Sequence, residues 1–220
     1  MTQKKYELLK NDTITALNGK TLYRIKALIN FDVVVAGSLG GYIEKEDNLA
    51  HSGNAWVYGD AQVYGNARVY DNAQVYGNAR VYGNAQVYGD AQVYGDALVY
   101  GNAWVYGDTL VSDNAQVYGD ARVYGNAQVY GDALVSDNAR VCSKKDLVWF
   151  SNVGTEYGTL TVFKTKEGKL FASRGCFKGT VDEFLAKSAK VHNERVKREY
   201  QLLIEVAKSR LLGESYVPTF

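Results

Sequence analysis

From Ala55 to Val141 small and aliphatic residues return every sixth position, Ala first and Val two residues later, with no insertion. Valine stands at Val57, Val63, Val69, Val75, Val81, Val87, Val93, Val99, Val105, Val111, Val117, Val123, Val129, Val135 and Val141, which makes fifteen hexads in phase. A helical period of 3.6 cannot hold one residue type on one face at this spacing, whereas a repeated strand and corner can. Within Ala-x-Val-Tyr the side chains alternate, so Ala and Val share one face while x and Tyr share the other. The Gly-Asn or Gly-Asp that follows supplies residues that tolerate positive φ and bend the chain. Three strands and three corners predict a triangular coil of about 18 residues. Successive coils pair as parallel strands at roughly 4.8 Å, giving five coils and a prism about 24 Å tall.

The flanks carry a different pattern. Residues 13–29, TITALNGKTLYRIKALI, hold two β-rich runs around Asn18-Gly19, a two-residue hairpin signal. After the hexads, LVWFSNV, TLTVFKT and KLFASRG read as three strands, the last two joined at Glu167-Gly168. Thr180 and Glu183 make a capping box that opens a helix, and Val196, Tyr200, Leu203, Ala207 and Leu211 form the apolar stripe of a second. Both ends of a β-coil expose strand edges that must be covered. The expected organisation is therefore a mainly β chain: a β-hairpin cap at residues 1–50, a parallel β-helix at 51–142 and a small α+β domain at 143–220.

The order Val, x, Gly, Asn or Asp, Ala, x over residues 55–142 resembles the hexapeptide-repeat family of left-handed parallel β-helices. The left hand is what that resemblance implies; period six does not decide it. One departure is plain, since Tyr fills, in twelve of fifteen hexads, a place where the family usually has a small residue. Two flanking strings, GGYIEKEDNLAHSGNAWVYG from Gly40 and GCFKGTVDEF from Gly175, resemble segments of phage and prophage hexapeptide-repeat proteins. That likeness implies an origin and an architecture without a reaction.

Charge separates the pieces. The whole chain is +1, which gives no overall argument for nucleic acid or membrane. Residues 51–142 hold four basic and nine acidic groups, hence −5, and residues 143–220 hold fourteen and nine, hence +5. No apolar run approaches a membrane span and no leader is visible, so a bacterial host cytoplasm is the expected location, with no membrane partner. Cys142 and Cys176 lack metal spacing and are expected as free thiols; no cofactor is implied.

Many hexapeptide-repeat proteins resemble one another as acyltransferases that use a histidine base. His51 precedes the first complete hexad and His192 falls between the helices, and no loop interrupts the hexads to hold an acyl donor. Each is expected to be a capping or surface histidine. Cys176, among Arg174 and Lys178, has basic neighbours suited to a thiolate, but a small buried residue at a strand-to-helix junction is the reading preferred. Matched Thr rows of an ice-binding face are missing, with Thr109 alone in the array.

The outward ladders are the remaining candidates. One face stacks Tyr70, Tyr88, Tyr106 and Tyr124 beside Arg68, Gln86, Trp104, Arg122 and Arg140, which collects three of the four arginines of the array. Flat aromatic area between guanidinium groups suits protein or phosphate contact. A second candidate is the basic set Lys164, Lys166, Lys169, Arg174 and Lys178. The function expected is a non-catalytic phage or prophage protein, a rigid scaffold recognising a host macromolecule, with inhibition of a host defence as its purpose. A host protein is the partner expected first, nucleic acid through the basic domain second, and a homo-oligomer is open. An acyltransferase and a structural virion protein are the competing readings.

Overall fold

The computed structural model describes residues 3–213. Fifteen strands of two or three residues, β4 (Trp56–Val57) through β18 (Arg140–Val141), fall one to each hexad on x and Val. Each but the last on its face pairs in parallel with the strand one turn on, so Gln62 lies beside Arg80 and Val63 beside Val81. Three parallel sheets result. Their outward x residues are Gln62, Arg80, Leu98, Gln116 and Leu134 on the first face, and Arg68, Gln86, Trp104, Arg122 and Arg140 on the second. Trp56, Gln74, Gln92, Leu110 and Gln128 line the third.

All fifteen valines of the array and the alanines before them are buried, which leaves a narrow aliphatic axis with no room for a larger side chain. Thr109 takes one Ala position, and its hydroxyl escapes an unpaired state by donating to the Tyr106 carbonyl at 2.7 Å. At the corners the backbone is left-handed. A Cβ on Gly89, at φ +68°, would stand 2.8 Å from the Gly107 nitrogen of the next turn, so the stacking of turns itself demands glycine. Asp71, Asp113 and Asp137 occupy the same corner position at φ +56 to +59°. Asp113 recovers part of the cost because its carboxylate accepts the Gly131 N–H of the following turn at 2.9 Å.

The coil begins one turn before the hexad pattern does. In β3 (Leu39–Ile43), Tyr42 and Ile43 pair with Gln62 and Val63 in the x and Val positions, and Leu49 bridges Val69 on the second face. Ile43 and Leu49 are as deeply buried as the valines. The solenoid therefore has about six turns where five were expected. Preceding it, β1 (Tyr6–Thr15) and β2 (Thr21–Ala27) form the expected hairpin, and β2 pairs with β3 so that the hairpin prolongs the first face. Two details differ from expectation. β1 starts at Tyr6, and the loop is a five-residue one closed by the Ala16 N–H on the Lys20 carbonyl at 2.8 Å.

The far end carries β19 (Leu147–Val153), β20 (Gly158–Lys164), β21 (Leu170–Arg174) and β22 (Phe177–Thr180) in one antiparallel sheet, followed by α1 (Val181–Val191) and α2 (Glu194–Leu212). Four strands stand where three were expected. The additional one, β22, makes Gly175-Cys176 a strand-to-strand turn and leaves Cys176 exposed, which corrects its reading as a buried residue. Thr180 and Glu183 form the expected capping box, and α2 buries Val196, Tyr200, Ile204, Ala207 and Leu211. Leu203 lies at the margin of that stripe and Ile204 at its centre. Residues 214–220 of the expected C-terminal domain lie outside the described residues. No described helix is long and apolar enough to cross a membrane.

Candidate functional site

The second face is built by register. Because each turn returns after 18 residues, Arg68, Gln86, Trp104, Arg122 and Arg140 stand in one column, and Tyr70, Tyr88, Tyr106 and Tyr124 in the next. Successive Tyr ring centroids are 4.7, 4.8 and 5.2 Å apart with planes within 7° of parallel. Their separation is that of the turns, so the rings stack on one another. The stacking expected of a tyrosine ladder is present, and it limits the flat aromatic area expected between the arginines: neighbouring rings cover each other's faces, and a partner meets ring edges and phenol hydroxyls. Burial first, and neighbouring groups second, push the phenols of Tyr70, Tyr88 and Tyr124 above the usual tyrosine range. They are neutral donors and acceptors at any physiological pH.

The x column is ordered as well. The Arg122 guanidinium lies 4.6 Å from the Trp104 ring centroid, and Tyr88 meets Trp104 edge-on at 6.3 Å. Tyr70 donates its hydroxyl to Gln86 Oε1 at 3.0 Å, and Arg68 sits over the Tyr70 ring at 5.8 Å. Arg68 and Arg122 are exposed. Arg140 is turned inward by comparison, its Nη1 donating to the Ala139 carbonyl at 2.8 Å and the Asp120 carbonyl at 3.1 Å. Of the three arginines collected by the sequence, two present free guanidinium edges and one fastens the last turn.

The end segments meet the second face at its edges, where Ala139 bridges Thr165 and the Asn48 amide bonds Ala67, and place their aromatic and cation–π contacts on the other two. Trp56 of the third face is buried under Tyr6 and Phe31, and Tyr64 of the first face under Ala16 and Leu22. At the far end Lys178 rests on the Tyr118 ring of the first face at 4.3 Å, and Trp149 meets Tyr130 of the third edge-on at 4.3 Å. Among the described residues, every aromatic and cation–π contact of the second face is internal to it.

The basic set of the C-terminal domain is dispersed in role. Lys164 Nζ is bonded to Asp146 Oδ1 at 2.9 Å, both half-buried or more. Burial works to raise the Asp146 carboxyl, but the Cys142 thiol, Lys164 and the Cys142 backbone N–H together hold it below its usual range. Arg174, with a side chain 11% exposed, donates to the Val153 carbonyl at 3.0 Å and packs against Gly158. Lys166 is exposed in the Thr165–Lys169 turn and Lys178 is exposed beside Tyr118. The structure thus gives Lys164 and Arg174 partners within the framework and leaves Lys166 and Lys178 exposed.

Both histidines are held by the framework. His51 stacks on Tyr6 at 4.4 Å and its Nδ1 accepts the Lys5 N–H at 3.2 Å. His192 caps α1 with Nδ1 3.2 Å from Ser188 Oγ. His192 and Cys176 both line a cleft of about 290 Å³ beside Arg174, a proximity that their separation in sequence concealed. Sequence reasoning also missed Tyr130 and Trp149, which the docking of β19 against the end of the third face brings together.

Residues 61–74, 73–89, 91–107, 115–129 and 127–143 match the family model described as the YdcK Beta solenoid repeat. All five stretches lie inside the solenoid, and the match agrees with a repeat β-helix. No curated protein matches the chain significantly.

Proposed function

We propose that this is a non-catalytic binding protein whose solenoid presents its second face to a host macromolecule. One observation carries the reading: the Arg122 guanidinium is stacked on Trp104 in a face whose aromatic contacts among the described residues are all internal, while the aromatic and cation–π contacts of the end segments fall on the other two. Aromatic and Arg side chains held in place before association lose little freedom on binding and are the usual anchors of interfaces.

A protein is the preferred partner. Stacked rings offer edges and hydroxyls rather than open faces, so bases have little to lie on, whereas backbone carbonyls and carboxylates can meet the phenols and the Arg68 and Arg122 forks. The resemblance of the flanking strings supports a phage origin, and action against a host defence is inferred from that origin alone. The test is recovery of a partner by the tagged protein from infected or lysogenic cells, with loss of that partner on Arg122→Glu.

A further inference from the structure

Where the C-terminal domain meets the end of the third face, a second cleft of about 290 Å³ opens between Gln128 and Tyr130 of the solenoid, Lys144 and Trp149 of the domain's first segment, and Arg210 of α2. It differs from the ladders in three ways. Tyr130 has Ser112 beside it in the ladder where a tyrosine would cover its ring, and it is 45% exposed, its one aromatic contact among the described residues being the edge contact to Trp149. Among the described residues the lining holds two cations and no carboxylate, and neither Lys144 nor Arg210 is ion-paired. Finally, the Gln128 amide is at hand with both donor and acceptor.

We propose that this cleft binds a nucleoside monophosphate, the base laid on the open ring of Tyr130 and the phosphate held by Lys144 and Arg210. An aromatic face accepts any base by stacking, and a lysine with an arginine fork neutralises a phosphate dianion. The cleft is at the small end of ligand pockets, which suits one nucleotide. Gln128 is placed to hydrogen-bond a base edge. The site is separate from the second face and stands or falls without it.

The experiment is calorimetric titration of the full chain with AMP, GMP, CMP, UMP, their nucleosides and inorganic phosphate. Saturable one-to-one binding of at least one nucleotide is expected. It should weaken about tenfold or more for the matching nucleoside and for phosphate alone. Arg210→Glu, on an exposed helix end, should reduce affinity at least as much without changing the melting temperature, and Tyr130→Leu should remove base preference. No binding at millimolar nucleotide would overturn the proposal. So would equal binding of nucleoside and nucleotide, unchanged affinity in a Lys144→Glu, Arg210→Glu double variant, or binding of an oligonucleotide with none of a mononucleotide.

Discussion

Lys5 Nζ donates to the Ala55 carbonyl at 2.8 Å, and so stands in for a rung that the first turn lacks. Along the solenoid the x residue donates its N–H to the Ala carbonyl of the next turn, as Trp56 does to Ala73 and Gln62 to Ala79. On the first face the Tyr42 N–H of β3 serves the Ala61 carbonyl at 2.9 Å, whereas the first Ala carbonyls of the third and second faces, Ala55 and Ala67, have side-chain donors in place of a strand N–H. Lys5 bonds Ala55 and Gly53 at one corner, and the Asn48 amide bonds Ala67 and Gly65 at another. At the opposite end the orphans are donors, and the Leu134 N–H finds Thr161 Oγ1 at 3.0 Å while the Cys142 N–H finds Asp146. The caps close the coil by chemistry as well as by cover.

The first prediction concerns that plug. Lys5→Met keeps the buried stem but leaves two carbonyls without a donor, and should lower stability by about 1–3 kcal/mol in denaturant titration. Burial has already lowered the Lys5 pKa to about 8, and a gain in stability on removing the charge would show that desolvation outweighs the bonds.

At the axis, Val99→Asp places an unpaired carboxylate among fully buried Val and Ala side chains. A cost of several kcal/mol follows, enough to prevent folding. Circular dichroism and melting should show no native transition; near-normal melting would contradict the inward placement of valine.

Corner geometry gives a third expectation. Gly89→Ala adds a Cβ at φ +68° against the backbone of the next turn and should cost about 1–3 kcal/mol, read as a lowered denaturation midpoint.

Alkali should unfold the solenoid steeply. Burial raises the phenol pKa values of Tyr58, Tyr64, Tyr70, Tyr76, Tyr82, Tyr88 and Tyr124, and pushes that of Tyr100 up to about 12. Above pH ~10 the unfolded chain releases protons that the folded one retains. Stability is therefore full below that pH and falls as pH rises toward the folded values. Lys5 works in the opposite sense between about 8 and the usual lysine value, as a single group against many. Tyrosinate absorbance and circular dichroism should change together; ionisation of most phenols near pH ~10 with the fold intact would refute the buried ladder.

The solenoid was legible because its period is strict: Val inward, Tyr outward and the collection of Arg68, Trp104 and Arg122 on one face all follow from six-residue spacing. Its first turn was hidden, although Ile43 and Leu49 are six residues apart, because Glu-Lys-Glu-Asp-Asn fills the place of the usual corner and the chain lengthens before Val57. β22 was hidden by its shortness. The tyrosine ladders were legible for the same reason, and only the ring area they leave open was overestimated, since rings spaced by one turn stack on each other before any ligand can. The Tyr130 cleft depends on how β19 docks, and no local pattern encodes that.

The most direct measurement of the central claim compares partner capture by the wild-type protein with that by Arg122→Glu, Trp104→Ala, Gln74→Ala and Gln92→Ala, each at equal folded concentration. If the second face is the recognition surface, the first two substitutions each weaken binding by about 2 kcal/mol or more, and the two on the third face change it little. Equal and small effects from both pairs would contradict the account.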